Sequence, residues 1–316
     1  MKLFRYIVPL LLLSFAAQAQ APIKDGAILA EFSVSDSTKV YLSQGNLQYQ
    51  ASTNTWRFAE HQWDYVGDSI DGTVYEKGIN SDNTKISPTY EGWIDLFGFG
   101  TSGYKGRMPY MTSTIYADYI IAKSEFPYRR NYNPNLGIDF VELDNGNGQK
   151  YDWGWGFCLS DGGMEQYVEG CCWRTLTRSE WNYLISERKK AEKKIGNARV
   201  NGVYGLVLLP DKWKTPQGLV FKHSNPNEYS ELEWEQMEAN GAVFLPAAGS
   251  RNGNFLPPGD VSERFGAYWS STIAEFKYSY ALWFDEDEDE YEYDYDCGRV
   301  PMSIGLSVRL VQDVKK

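Results

Sequence analysis

The sequence predicts an α+β fold that is strand-rich, with two helices and long ordered loops. Three observations carry this reading. Short runs of alternating apolar and polar residues occupy both ends of the chain. Two Ser/Thr-x-x-Glu boxes, Thr177–Glu180 and Ser230–Glu233, each precede an apolar stripe. Clusters of Gly, Asn and Asp punctuate the remainder.

Taken in order, Phe32, Val34 and Val40-Tyr41-Leu42 alternate with Ser and Thr, Gly45-Asn46 reads as a turn, and Leu47–Gln50 follows as a strand. Trp56–Ala59 and Trp63–Val66 read as short aromatic strands, and residues 67–88 and 129–150 as polar loops. From Gly92 to Gly103 glycine alternates with aromatic residues, which suits irregular, closely packed backbone. The first helix opens at Thr177, turns Trp181, Leu184 and Ile185 inward, and ends in a solvated basic run of Arg188, Lys189, Lys190, Lys193 and Lys194. Asn201-Gly202 and Val203–Leu209 read as a hairpin, closed by Pro210-Asp211. The second helix opens at Ser230, carries Trp234 and Met237, and stops at Gly241. Strands follow at Ala242–Pro246, Tyr268–Thr272, Tyr280–Phe284 and Leu306–Val311, with a turn over Gly249–Gly253. No repeat or linker divides residues 27–313, which are expected to form one domain.

The first residues read as an export signal. Lys2 and Arg5 precede an apolar run, Tyr6–Phe15, and Ala17-Gln18-Ala19 offers a small-x-small cleavage site, so residues 1–19 are expected to be removed. The run is too short for a permanent membrane span, and no later stretch qualifies, so no transmembrane segment is expected. The expected location is periplasm, cell surface or extracellular space.

Charge narrows the partners. The chain carries −11, or −13 without Lys2 and Arg5, and nine of the acidic residues lie between Asp285 and Asp296. Nothing compact and basic offers counter-charge to a nucleic acid, so none is expected as a partner. With two histidines, a histidine-based metal site is not expected. Cys158, Cys171, Cys172 and Cys297 form no zinc-type spacing; export permits disulfides, and all three full pairings stay open.

Several motifs carry a family resemblance. These are Phe32–Ser35, Gly45–Tyr49, Trp56–Ala59, Gly92–Gly98, Trp173–Thr177, Glu180-Trp181, Gly205–Asp211, Tyr268–Ser271 and Gly305–Val311. Together the chain resembles exported Bacteroidales paralogous proteins related to the Fibrobacter succinogenes major paralogous domain. Its second half resembles the C-type-lectin-like fold shared with formylglycine-generating enzymes and the variable proteins of diversity-generating retroelements. That resemblance implies a ligand surface between the Trp-Ser-Ser strand and the closing Ser-Val-Arg-Leu-Val strand, here Thr272–Ile304.

This interval holds the most unusual feature of the chain. Read as a strand, Glu290, Glu292, Asp294 and Asp296 point to one side and Tyr291, Tyr293 and Tyr295 to the other. Trp283, Tyr291, Tyr293 and Tyr295 are the expected contacts for a protein or glycan ligand, with Glu290, Glu292 and Asp294 setting charge preference. The competing reading is a solvated run that blunts a sheet edge. No cofactor is expected; calcium would suit the carboxylates, but their spacing matches no EF-hand loop. Trp269 and Arg309 are expected to support the site, Glu180 to cap a helix, and Trp181 to be core. Arg174 is expected to form a structural ion pair, and turn chemistry accounts for Arg251 and Asn252 as well as a place beside the site does.

The chain is read as a non-catalytic binding module of the cell envelope. No Gly-x-Ser-x-Gly elbow, Ser-His-Asp order or phosphate loop is present. A formylglycine-generating type of oxidase needs two cysteines near its C-terminal end, where this chain has Cys297 alone. The alternative is a structural or adhesive envelope protein attached to an envelope partner. Asp and Tyr codons are each one base from Asn, so such a tract also fits a target of adenine-directed diversification.

Overall fold

Pairing of short strands dominates the architecture. The computed structural model describes residues 23–24, 26–66, 87–103, 108–110, 132–133, 138–139, 152–154, 157–160, 163–166, 173–223, 227–252, 265–275, 278–286, 293–302 and 304–314. Apart from the two-residue strand pairs Ile23–Lys24 with Ala27–Ile28 and Tyr132–Asn133 with Ile138–Asp139, the first strands in chain order are β1 (Phe32–Ser33), β2 (Lys39–Leu42), β3 (Leu47–Gln50), β4 (Thr55–Phe58), β5 (Trp93–Ile94), β6 (Phe157–Ser160), β7 (Gly163–Gln166) and β8 (Trp173–Thr175). Helix α1 (Arg178–Asn182) follows, then β9 (Ile195–Val200), β10 (Val203–Leu208), β11 (Asn227–Tyr229), helix α2 (Glu231–Ala239) and β12 (Val243–Pro246). The chain closes with β13 (Gly266–Glu275), β14 (Tyr278–Glu286), β15 (Tyr293–Pro301) and β16 (Leu310–Asp313). The class is α+β, strand-rich with two helices, as the alternation and capping boxes predict.

Four sheets hold the labelled strands, in the orders β6-β7-β4-β3-β5, β8-β16-β2-β1, β11-β9-β10-β12 and β13-β14-β15. Between them lie three apolar clusters. One gathers Tyr49, Trp56, Phe97, Trp153, Trp173 and Trp269. A second places Trp181, Leu184 and Ile185 against Leu206, Leu245, Leu282 and Cys297. The third sets Trp234 and Met237 of α2 against Val200, Val207 and Phe244. The aromatic richness of the sequence therefore serves largely as core.

The helices begin as expected. Thr177 Oγ1 accepts the Glu180 N–H at 3.1 Å while the Glu180 carboxylate accepts the Thr177 N–H at 2.9 Å. At α2 the Glu233 carboxylate accepts both the N–H and the hydroxyl of Ser230. Anchoring by that hydrogen-bonded pair holds the exposed Glu233 carboxyl below its ordinary pKa. The Asn201-Gly202 turn also forms, with φ of 48° and 82°, the paired positive values that a tight hairpin demands.

Three local expectations fail, each for a tertiary reason. Trp63–Val66 is not a strand: the Asp64 carboxylate accepts the His61 N–H, and Asp95 accepts the Val66 N–H, so side chains take donors a ladder would need. Leu306–Val311 is not one continuous strand. Leu306 and Ser307 make isolated bridges to Phe97 and Tyr268, β16 starts at Leu310, and Ser307 and Arg309 are as buried as their apolar neighbours. The basic end of the first helix is not wholly solvated. After α1 the chain makes a turn of π-helix over Tyr183–Glu187, and Arg188 folds inward. Its guanidinium donates to the carbonyls of Leu184 (2.7 Å), Leu209 (2.8 Å) and Lys194 (3.4 Å), and burial lowers its pKa to about 10.

Candidate ligand-binding surface

The sheet β13-β14-β15 carries the interval singled out by the sequence, and the Trp-Ser-Ser segment fastens it to the core. Trp269 is fully buried; its indole N–H donates to the Phe97 carbonyl at 2.6 Å and its backbone N–H to Ser307 at 3.0 Å. The following serines are small enough to sit where β13 shifts register between Trp269 and Ile273. Ser270 Oγ donates to the Tyr280 carbonyl at 2.8 Å, and the Ser271 N–H donates to Leu176 at 2.9 Å. Arg178 in turn donates its N–H to Thr272 Oγ1 at 3.0 Å, tying α1 to the sheet. Arg309, fully buried, donates to Asn46 (3.2 Å) and Gln62 (3.0 Å), and Asn46 donates to the Tyr268 hydroxyl at 3.1 Å. Burial lowers the Arg309 pKa to about 10. Trp269 and Arg309 thus support the sheet from below.

Register divides the candidate contacts between two faces. Trp283 faces Asp296, Asp285 faces Asp294, Phe284 faces Tyr295, and Glu286 faces Tyr293 across β14 and β15. Because facing residues share a side and neighbours alternate, Trp283, Asp285 and Asp296 belong to one face, and Phe284 and Tyr295 to the other. The expected split of carboxylates from tyrosines holds for Asp296 and Tyr295, and the side chains of Tyr293 and Asp294 lie outside the described residues. The register also separates Trp283 from Tyr295, so they do not form one flat contact surface. Tyr291, Glu290 and Glu292 lie outside the described residues.

The two faces differ in burial. On the tyrosine face, Leu282, Phe284 and Cys297 are core, and Tyr280 and Tyr295 pack partly against them. Burial raises the Tyr295 pKa, with the nearby Glu192 charge adding to it, and pushes the Cys297 thiol up to about 12. Tyr295 is thus in part a packing residue. On the other face Trp283 is half-buried at the margin of the first cluster. Its indole crosses onto β15 above Gly298: a Cβ there would lie 2.7 Å from Trp283 Nε1. Asp296, across from it, is exposed, and its Oδ1 accepts the Cys297 N–H at 2.7 Å.

Gly298 and Asp296 were not among the expected contacts. The signal for Gly298 was available in principle, since a glycine within a strand marks a close approach. The identity of its visitor was not. Elsewhere the motif residues are structural. Arg174 bridges the Glu180 and Asp313 carboxylates at 2.7 Å each, and Trp181 is fully buried. Arg251 corrects the turn reading. Arg251–Asn252 is a short strand paired with Ile304–Gly305, and the buried guanidinium donates to the Leu96 carbonyl. Among the described residues no three His, Cys, Asp or Glu side chains converge as a metal site. Also among them, no helix is long and apolar enough to cross a membrane.

The geometry stands without a precedent to name it: no known protein family, curated protein or solved structure matches the chain.

Proposed function

We propose that this chain is an exported, non-catalytic binding module of the cell envelope. Its arrangement is C-type-lectin-like, and it takes a protein or glycan ligand at the distal end of β14 and β15. The observation that carries the reading is the Trp283 indole, laid over Gly298 at the margin of the core with exposed Asp296 beside it. A half-buried tryptophan combines a large apolar face with a polar edge, the combination favoured where proteins grip ligands. The sheet beneath it is fixed by buried hydrogen bonds from Trp269 and Ser270, so the ring is presented on a rigid support.

The test is a screen of residues 20–316 against a glycan array and a displayed peptide library, repeated with Trp283→Ala. Saturable binding to one ligand class that falls at least tenfold in the variant, with a melting temperature within a few degrees of wild type, is the expected result. Ligand binding that Trp283→Ala leaves intact would place the site elsewhere, and absence of any saturable ligand would favour an adhesive or structural role.

A further inference from the structure

Three half-buried rings on strands of this chain are each covered by one of its own arginines. The Arg57 guanidinium lies 3.8 Å from the centroid of the Trp93 ring, that of Arg178 lies 4.0 Å from Tyr280, and that of Arg199 lies 4.8 Å from Tyr204. Two of these arginines are held in place by a further bond, Arg57 to Gln48 Oε1 at 2.8 Å and Arg199 to the Gly202 carbonyl at 3.0 Å. The cation sits on the negative face of the ring, and the bond keeps it there.

Trp283 has the same setting and lacks the cation. It too is a half-buried ring on a strand, lying across its neighbour. Among the described residues no arginine or lysine covers it. What surrounds it is the opposite charge. Asp296, exposed, faces it directly.

We propose that this face of β14 and β15 is a receptor for an arginine side chain of a protein partner. The guanidinium stacks on the Trp283 indole and ion-pairs with the exposed Asp296 carboxylate across from it. A planar guanidinium stacks on an aromatic face and pairs with a carboxylate at once, which a compact ammonium does less well. A neutral sugar gains the stacking but nothing from the carboxylate. The proposal rests on the reading of this hairpin end as the binding surface and adds the chemistry of its ligand.

The probe is the peptide acetyl-Gly-Arg-Gly-Arg-Gly-amide, with lysine and citrulline versions; citrulline keeps the shape of arginine without its charge. The readout is the indole N–H resonance of Trp283 in protein labelled at tryptophan, assigned with Trp283→Phe. Asp296→Asn is the second variant, chosen because its remaining amide oxygen can still accept the Cys297 N–H and so preserve the strand. We expect a saturable shift with the arginine peptide and none with the citrulline peptide. We also expect binding to weaken roughly fivefold in Asp296→Asn, and to weaken on going from about 20 to about 300 mM salt, as screening of exposed charges requires. Equal binding of the citrulline peptide, or indifference to Asp296→Asn, overturns the proposal. If a neutral oligosaccharide moves the Trp283 resonance and the arginine peptide does not, the arginine receptor falls and the binding surface stands. If no probe moves it, both fall.

Discussion

Two hairpins of this chain are built alike and finished differently. The β9–β10 hairpin pairs six residues with six, turns on Asn201-Gly202, and is flanked by β11 and β12. Its inner residues feed two apolar clusters, and its half-buried Tyr204 lies under Arg199 from the facing strand. The β14–β15 hairpin pairs nine with nine, and β15 is the edge of its sheet. Its connection is an acidic run in place of a turn signal, and among the described residues no arginine covers its Trp283. In the first hairpin the turn residues and the apolar strand residues agree with the fold, so it is scaffold. In the second the middle, Ala281, Leu282 and Cys297, is buried and fixes register, while nearer the end Asp296 is exposed. Residues retained without a packing reason are where function is to be sought.

The largest expected effect separates the two regions by stability. Trp234 is fully buried, with Phe244 at 5.5 Å and Tyr229 at 5.9 Å between ring centroids. Trp234→Ala should cost about 3–5 kcal/mol, the range for emptying a large aromatic from a core. Trp283→Ala should cost less, about 1–2 kcal/mol, because part of its surface is already in water. Urea denaturation of both variants measures the contrast. A similar loss in both would make Trp283 a core residue and remove the reason to treat its hairpin as a binding surface.

A pH scan sharpens the same contrast, since the scaffold holds a buried carboxyl. Asp152 is fully buried, and burial raises its pKa to about 6 despite hydrogen bonds to Oδ1 from the Gly154 N–H (2.9 Å), the Thr175 N–H (3.1 Å) and the Thr175 hydroxyl (3.0 Å). The folded pKa lies above the unfolded one, near 3.8. Below about pH 4 both states hold the proton and its contribution is intact; as pH rises through about 6 the unfolded state ionises first and stability is lost. About two pKa units correspond to about 3 kcal/mol. Asp152→Asn should retain the acceptor oxygen, melt higher than wild type at pH 7, and lose the advantage at pH 4. Melting curves that stay parallel across that range would locate the titration elsewhere.

What could be read from the sequence was local. The two capping boxes and the Asn-Gly turn are complete within four residues, and each forms as the residue types dictate. The alternation around Tyr268–Thr272 and Tyr280–Phe284 located strands that prove longer, because bulges and pairing extend them past the apolar residues. Buried arginines were illegible. Arg188, Arg251 and Arg309 each bond a group distant in sequence, the Leu209 and Leu96 carbonyls and the Gln62 amide, and nothing near them announces that they turn inward. The candidate site was half legible. Alternation predicted that carboxylates and tyrosines part company in β15, but only the β14–β15 register shows Trp283 on the carboxylate side. Only packing shows that Tyr295 is partly core.

The finest test of the comparison compares one glycine in each hairpin. At Gly205 of β10 an added methyl would lie 2.3 Å from the Leu245 carbonyl oxygen and 2.5 Å from the Phe244 ring, both parts of a packed neighbouring strand. Backbone cannot yield there without disturbing the β10–β12 ladder, so Gly205→Ala should cost about 1–3 kcal/mol as overpacking. At Gly298 of β15 the methyl meets only the Trp283 ring. That side chain is half exposed and can swing outward, and alanine suits a strand better than glycine, so Gly298→Ala should shift stability by less than about 1 kcal/mol. Its consequence should instead be local, a displaced Trp283 indole resonance with the remaining tryptophan signals unmoved. A large loss of stability at Gly298 would mean that Trp283 is locked in its position by the core. The rigid scaffold would then extend to the hairpin end, and any adaptability of the binding surface would have to come from the residues beyond Glu286.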